Sequence, residues 1–449
     1  MPSSDRSSTS EKQIIIGAGP VGLAMADALL RKKIEFDIVD ANSGVGGNWL
    51  NGVYRSAHIV SSKKATQYCN YPMPESYPDF PSSDEMLRYL QNFAKDKGLL
   101  EFCEFDKTVA HIHPIEKNKW SVNFKDGEKR IYKGVIVCNG HHWDKRYPNF
   151  NGKFSGEILH SKDYQNPSQF YGKRILVIGG GNSGVDMACD AGRFGRSCDI
   201  SLKSGYWYLP KTFLGRPLTD LPIWGLPIFI QRALLKSIIW ISIGDYRRYG
   251  LKKPNHKIFE RHPSFGTDLL SAIRLGRVRP RPDIEYIDGH TVKFVDGTSG
   301  DYDLIVAATG FFTSFPFLPE GLVQVKSNVV HVYAGAFPAG LRGLYIVGWA
   351  QARNGFGRLI TPLSDLYAHM IAFQDELNFP LGTLMEKSFL MNLPTTHLVD
   401  PEKTRRKIKQ AYFMLPILKI RDRIMSKLRY YNEKSGKESK GSLYPSKTI

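Results

Sequence analysis

Hydrophobic and polar positions follow several spacings along the chain. Short continuous apolar runs, Ile14–Ile16, Ile175–Ile178 and the one in "DLIVAATG", are too brief for amphipathic helices and predict strands. Each of the first two is followed by a glycine-rich turn and then by helical spacing, through Leu30 in one case and from Val185 to Arg193 in the other. A second apolar strand closes each unit, ending at Asp40 in the first and reading "CDISL" in the second. Strand, turn, helix and strand thus recur about 160 residues apart. Between them, "TVAHIHPIEKNKWSVNFKDGEKRIYKGVIVCNG" alternates between turn signals and predicts a small antiparallel sheet, and "IDGHTVKFVDGTSGDYD" repeats that character later. Residues 316–400 mix short strands such as "GLYIVGW" with a helix after Thr361-Pro362.

Composition narrows the class. A chain of 449 residues predicts two or three domains, and 42% hydrophobic with 23% charged residues is ordinary for a soluble enzyme with a sizeable core. The five cysteines form no CxxC pair, so neither a thiolate metal site nor a disulfide framework is expected, and a reducing, cytoplasmic compartment is. "MPSSDRSSTSEK" is polar throughout and reads as a disordered leader rather than a signal peptide. No uncharged apolar run reaches the roughly 18 residues of a spanning helix. The net charge is +18, and residues 402–449 supply ten of it, with fourteen Lys/Arg against four Asp/Glu. Such a tail suits an anionic partner or a solvated basic surface.

The two turns read Gly17-Ala-Gly19-Pro20-Val-Gly22 and Gly179-Gly-Gly181-Asn182-Ser183-Gly184. Alone, GxGxxG is a weak signal; after a strand and at the head of a helix it has a mechanism. The glycines allow the tight turn, close backbone approach to a pyrophosphate, and close packing of helix on strand. The pyrophosphate then meets the free N–H groups of the helix start. Asp40 stands where a carboxylate accepts the ribose hydroxyls of FAD or NAD(H) and repels a 2′-phosphate. The matching place in the second unit holds Lys203 and Ser204, which favour the 2′-phosphate of NADPH, although Lys lacks the bidentate fork of Arg.

A third pattern lies between the units: Phe154-x-Gly156-xxx-His160-xxx-Tyr164. Together with "GGNW" at residues 46–49, "YPMPESYPDFPS" at 71–82, "CNGHHWDKRYP" at 138–148 and "AATGF" at 307–311, it makes residues 13–370 resemble the flavin-containing monooxygenases, the class B flavoprotein monooxygenases. The resemblance implies an α/β fold of two Rossmann-like domains, each with a parallel sheet, the NADPH domain inserted in the FAD domain. The expected boundaries are a leader 1–12, FAD domain 13–165 with the fingerprint 154–164 as hinge, NADPH domain 166–300 with an apolar insert 218–262, the rest of the FAD domain at 301–400, and a basic helical tail 401–449. FAD is expected on Gly17, Gly19, Pro20, Gly22, Asp40, Gly47, Asn48, Trp49, Val109, Thr309 and Gly310. NADPH is expected on Gly179, Gly181, Asn182, Ser183, Gly184, Lys203 and Ser204. Gly156 is read as a backbone shape that other residues do not adopt, and His160 as a histidine that locks the hinge by hydrogen bonding.

The implied activity is insertion of one atom of O2 into a small organic substrate through a flavin hydroperoxide, of the N,N-dimethylaniline monooxygenase kind. Tyr164 where Baeyer–Villiger members usually carry Trp favours N- or S-oxygenation. Baeyer–Villiger oxidation, 2-oxo-acid decarboxylation, and an NADPH oxidase or non-catalytic FAD/NADPH-binding module stay open. A disulfide reductase is disfavoured, because "SGVGGNWLNG" holds no cysteine pair. Where many members carry an Asn, this chain has Val60 followed by Ser61 and Ser62, and a serine is the expected substitute. Gln351, Arg353 and Asn354, in a segment ahead of a helix with Pro362 near its first position, are expected either beside the flavin or as ordinary polar groups of the loop. No metal, nucleic acid or catalytic triad is expected, and the oligomeric state is left open. The apolar stretch 221–253, interrupted by Arg232 and Lys236, and the basic–apolar tail suit peripheral contact with an anionic membrane, or packing on the body over a substrate tunnel.

Overall fold

In the computed structural model, residues 11–115, 118–388 and 392–434 are described. Two five-stranded parallel sheets organise the chain. The first contains β1 (Gln13–Ile16), β2 (Phe36–Val39), β3 (Cys103–Glu104) and β4 (Gly134–Val137), with α1 (Pro20–Arg31) joining β1 to β2. The second contains β5 (Glu157–His160), β6 (Arg174–Ile178), β7 (Ser197–Ser201), β8 (Arg279–Arg281) and β9 (Leu304–Ala307), with α2 (Asn182–Phe194) joining β6 to β7. The chain then returns to the first sheet with β10 (Leu344–Ile346), which pairs with β4. The orders are β10-β4-β1-β2-β3 and β5-β9-β6-β7-β8. The second unit is therefore inserted between two neighbouring strands of the first. Ile14, Ile15, Ile175, Leu176 and Val177 are wholly buried, as short continuous runs in a two-faced parallel sheet must be.

The expected boundaries at 165/166 and 300/301 are corrected by this pairing. Both β5, inside the expected hinge, and β9, expected in the FAD domain, hydrogen-bond into the second sheet. The fingerprint is thus partly an edge strand of the second unit. The two predicted small sheets form as antiparallel meanders, one of strands Val109–Ile115, Lys119–Phe124 and Lys129–Tyr132 and one within residues 284–301.

Helix α3 (Ile228–Ser242) lies in the apolar insert, α4 (Gly357–Phe373) packs on α1, and α5 (Pro401–Lys434) packs on α4. Pro362 is the sixth residue of α4 rather than near its first position, so the helix starts one and a half turns earlier than its proline suggested. Of the expected leader, residues 1–10 lie outside the described residues; Lys12 pairs with Asp37 at 3.0 Å. Residues 435–449 of the basic tail are likewise outside them.

Candidate active site

Both glycine turns are held by the same close approach. Gly17 has φ +108°, and a Cβ there would stand 2.5 Å from the Cys138 carbonyl oxygen; Gly179 has φ +111°, and its Cβ would stand 2.4 Å from that of Ala308. In each unit the carbonyl comes from the end of the neighbouring strand, β4 or β9. Cys138–Gly140 and Ala308–Gly310 are therefore equivalent places in the two units. Thr309 and Gly310, expected at FAD, follow β9 of the second sheet beside the second turn, and Gly310 lines the cavity described below. The corresponding residues of the first unit, Asn139 and Gly140, were not singled out from the sequence and do line the site.

A cavity of about 2370 Å³ runs between the units. Its wall takes in Gly17, Gly19, Pro20, Asp40, Gly47, Asn48, Trp49 and Val109 from the first unit, and Gly181, Asn182, Ser183, Gly184 and Gly310 from the second. Asp40 Oδ2 accepts the Ala18 N–H at 2.6 Å, and its Oδ1 accepts the N–H and side-chain amide of Asn42 at 2.8 and 2.9 Å. That fixes the carboxylate at the wall. Asn182 turns its Oδ1 to Phe265 N–H at 2.9 Å and so holds the 264–265 segment.

Ser61 lines the cavity and its hydroxyl lies 2.7 Å from Thr66 Oγ1. Ser62 does not line it; it caps the helical turn 63–66 and bonds Asp220 across to the insert. Gln351, Arg353 and Asn354 all reach the wall. Arg353 is taken by Asp400 at 3.0 Å and lies over the Phe259 ring. Burial lowers the Arg353 pKa. The Gln351 amide nitrogen sits 2.9 Å from His141 Nε2 and 3.2 Å from His142 Nε2, and His141 Nδ1 faces the Gly348 carbonyl at 3.3 Å. With Gln351 donating, both ring Nε2 atoms accept, so both imidazoles are neutral. Burial pushes His141 down to about 4 and His142 well below its usual value; the exposed face of His142 looks into the cavity, not bulk water. Neither histidine was singled out from the sequence.

None of the four fingerprint side chains lines the cavity. His160 is fully buried; its Nδ1 accepts the Lys162 N–H at 3.1 Å, which leaves Nε2–H to donate to the Gly310 carbonyl at 3.1 Å. Tyr164 stacks on Phe170 at 4.6 Å and donates to Asp190 at 2.9 Å. Gly156 has no left-handed φ. Space, not backbone shape, selects it: a Cβ would stand 2.6 Å from the Asp303 oxygen and 2.7 Å from the Phe154 ring. From the fingerprint stretch Ser161 and Lys162 reach the cavity, and Lys162 donates to Asn48 Oδ1 at 2.7 Å and Gly52 O at 3.2 Å. Lys203 and Ser204 lie beyond the wall; Lys203 is 84% exposed, and Ser204 Oγ is 3.4 Å from Arg261 Nη1, a cation the motif did not include.

The sequence profile of the family described as "FMO-like: Flavin-binding monooxygenase-like" matches residues 10–372. The chain belongs to this family. Flavin-containing monooxygenase 5 of Oryctolagus cuniculus is 31% identical over 385 residues, covering 79% of this chain and 71% of that protein. Two solved structures share the fold. S-allyl-L-cysteine S-oxygenase from Allium sativum has a TM-score of 0.60 at 21% identity, covering 91% of this chain and 82% of that one. OTEMO in complex with FAD and NADP has a TM-score of 0.69 at 17% identity, covering 90% and 97%.

This flavin monooxygenase is an oxidoreductase. Its residues fit FAD and NADP, the pair that OTEMO holds in its complex. Two glycine cradles that a Cβ would fill stand at one cavity, and Asn354, 2% exposed and part of its wall, has a buried Oδ1 without any hydrogen-bond partner in the protein. Among the described residues no cluster of three or more His, Cys, Asp or Glu is arranged for a metal.

Proposed function

We propose that this enzyme transfers an oxygen atom from O2 to the nitrogen or sulfur of a small organic substrate, using NADPH as reductant. The observation that carries the reading is the single cavity shared by the two glycine turns, which lets a nicotinamide bound to one unit meet a flavin bound to the other. FAD would lie along Gly17, Gly19, Gly22 and Asp40 towards Asn48 and Asn354; NADPH would lie along Gly179, Gly181 and Gly184 towards Lys203, Ser204 and Arg261. The flavin, when bound, supplies the electron transfer and O2 activation. The protein's part is orientation and dryness: helix starts meet pyrophosphates, Lys162 and Asn48 tie the second unit to the flavin loop, and the neutral His141, His142 and Gln351 present fixed dipoles. Tyr164 at the fingerprint's end favours heteroatom oxygenation over ester formation from ketones; the structures sharing the fold include both an S-oxygenase and a cyclohexanone monooxygenase.

We further propose, from cysteine usage and the basic tail, a cytoplasmic enzyme with peripheral contact to an anionic membrane. Among the described residues no helix is long and apolar enough to cross one. The test is a panel of tertiary amines, thioethers and ketones, with NADPH consumption, oxygenated product and peroxide all measured. N-oxides or sulfoxides formed in step with NADPH support the proposal. Esters from ketones alone, or peroxide accounting for all NADPH, would refute it.

A further inference from the structure

The cavity wall carries more positive charge than its own carboxylates balance. Two carboxylates line it, and both are committed: Asp40 to the Ala18 N–H and Asn42, and Asp400 to Arg353 and the Lys403 N–H, the last at 3.1 Å. Lys107 and Lys125 stand with Asp40 at the adenosine end, where the Lys107 N–H donates to the Asp40 carbonyl and the Lys125 N–H to that of Thr108, both at 2.9 Å. Lys162 is taken by Asn48. Lys403 and Lys407 differ from these. Both line the cavity and are exposed, and among the described residues neither ammonium pairs with a carboxylate. Glu402, the acid of the first turn of α5, pairs with Arg405 at 3.6 Å instead.

Strand pairing sets their place. Leu398 and Val399 pair in parallel with Gln351 and Ala352, so the chain enters α5 beside the segment that the reading above puts at the flavin. From there α5 lays Lys403, Lys407, Gln410 and Met414 along the cavity, at spacings of four, three and four residues that form one row on a helix. The row is cationic at its head and apolar further on. Local energetics oppose such a head. A helix start carries free N–H groups and favours anions, and like charges four residues apart repel. Lys403 and Lys407, the third and seventh residues of α5, break both rules, and neither recovers the loss in an ion pair. A local conflict of this kind is expected where function demands it, and an anion in the cavity resolves it.

We propose that Lys403 and Lys407 form a carboxylate-binding subsite, and that the substrate is a thioether carrying a carboxylate, its apolar body along Phe413 and Met414. Two ammonium groups on one carboxylate give charge-assisted hydrogen bonds, and the Phe413 and Met414 side chains in the same wall accept an apolar chain. A tertiary amine, protonated at neutral pH, is repelled by the same pair, which selects sulfur over nitrogen. The sulfur half of the inference rests on the oxygenase reading; the carboxylate half does not.

Three thioethers that differ only at the far end, as carboxylate, carboxamide and trimethylammonium, are compared on the full-length, FAD-loaded enzyme. Equilibrium dialysis with NADP+ present gives Kd, and sulfoxide formation with NADPH gives KM and kcat. The carboxylate is expected to bind ~10-fold more tightly than the carboxamide, and the ammonium compound more weakly than either, with the differences shrinking at high salt. Lys403→Ala/Lys407→Ala is expected to erase the advantage of the carboxylate over the carboxamide. Arg406→Ala/Lys409→Ala removes two exposed charges of the same helix outside the cavity wall and should keep that advantage. Flavin absorbance checks that both variants are folded. A carboxamide bound as tightly as the carboxylate overturns the inference, as does an advantage that survives Lys403→Ala/Lys407→Ala. An advantage lost equally in the outer variant assigns it to the general positive field of the helix and overturns the inference too. Absence of sulfoxide from all three compounds sinks the oxygenase reading alone, and the dialysis comparison still decides the carboxylate half.

Discussion

His160 and Gly310, 150 residues apart in the chain, are joined by a hydrogen bond of 3.1 Å between the imidazole Nε2–H and the backbone carbonyl. Because the other ring nitrogen accepts the Lys162 N–H, the imidazole ties the end of β5 to the loop after β9 and orients the residue that reaches Asn48. His160→Leu is expected to cost about 1–3 kcal/mol, since a buried carbonyl and N–H lose their partner. It should also slow flavin reduction by NADPH ~10-fold through misplacement. His160→Gln, able to serve one of the two bonds, should recover part of both. Stopped-flow flavin bleaching and urea denaturation check this; an inert Gln variant with full stability would assign the ring a chemical role instead.

The buried histidines set an acid limit. Burial lowers the pKa of His141 to about 4 and lowers those of His142, His160 and His262 as well. The unfolded chain takes up these protons from about pH 6.5 downwards, and the folded chain resists until lower pH. Stability from these groups is therefore complete above pH 6.5 and is lost as pH falls towards 4. Thermal midpoints measured across that range should drop, and His141→Gln should flatten the slope. A profile unchanged by His141→Gln would contradict the assignment.

The two cradles are separable. A Cβ on Gly22 would lie 1.8 Å from the Gly17 oxygen, and one on Gly184 2.1 Å from the Gly179 oxygen. Gly22→Ala is expected to purify without yellow colour. Gly184→Ala should keep its flavin spectrum and lose reduction by NADPH. Flavin absorbance and titration with NADPH distinguish the two.

Coenzyme choice is expected to rest on three residues. Arg261→Ala should raise KM for NADPH by ~10-fold or more, the scale of a charge-assisted hydrogen bond, and leave KM for NADH unchanged. Lys203→Ala/Ser204→Ala should have a smaller effect of the same sign, because Lys203 is 84% exposed. Equal loss with both coenzymes would mean a structural rather than a recognition role.

Asn354 carries opposite expectations with and without the cofactor. Its buried Oδ1 has no partner in the protein, so Asn354→Leu is expected to leave apoprotein stability unchanged or raise it. The same variant should weaken FAD binding by ~10-fold if the carbonyl oxygen receives a flavin N–H. Melting curves of apo and loaded protein, with an FAD titration, read both.

Local physics made much of this enzyme legible from its sequence. Gly17 and Gly22 clash or fit within six residues of one another, so the turn is recognisable wherever it stands, and Asp40 follows at the end of the next strand. Alternation marked the meanders, and composition marked the basic tail. What stayed hidden depended on partners far along the chain. Strand pairing, not sequence order, moved β5 and β9 into the second sheet and carried Gly310 to the second turn. Arg261 meets Ser204 across 57 residues, and Lys162 meets Asn48 across 114; neither leaves a spacing to read. The basic–apolar pattern of the tail is compatible with packing or exposure alike. Only the tertiary structure decided that α5 does both, because which face is buried is settled by the core it meets, not by the helix itself.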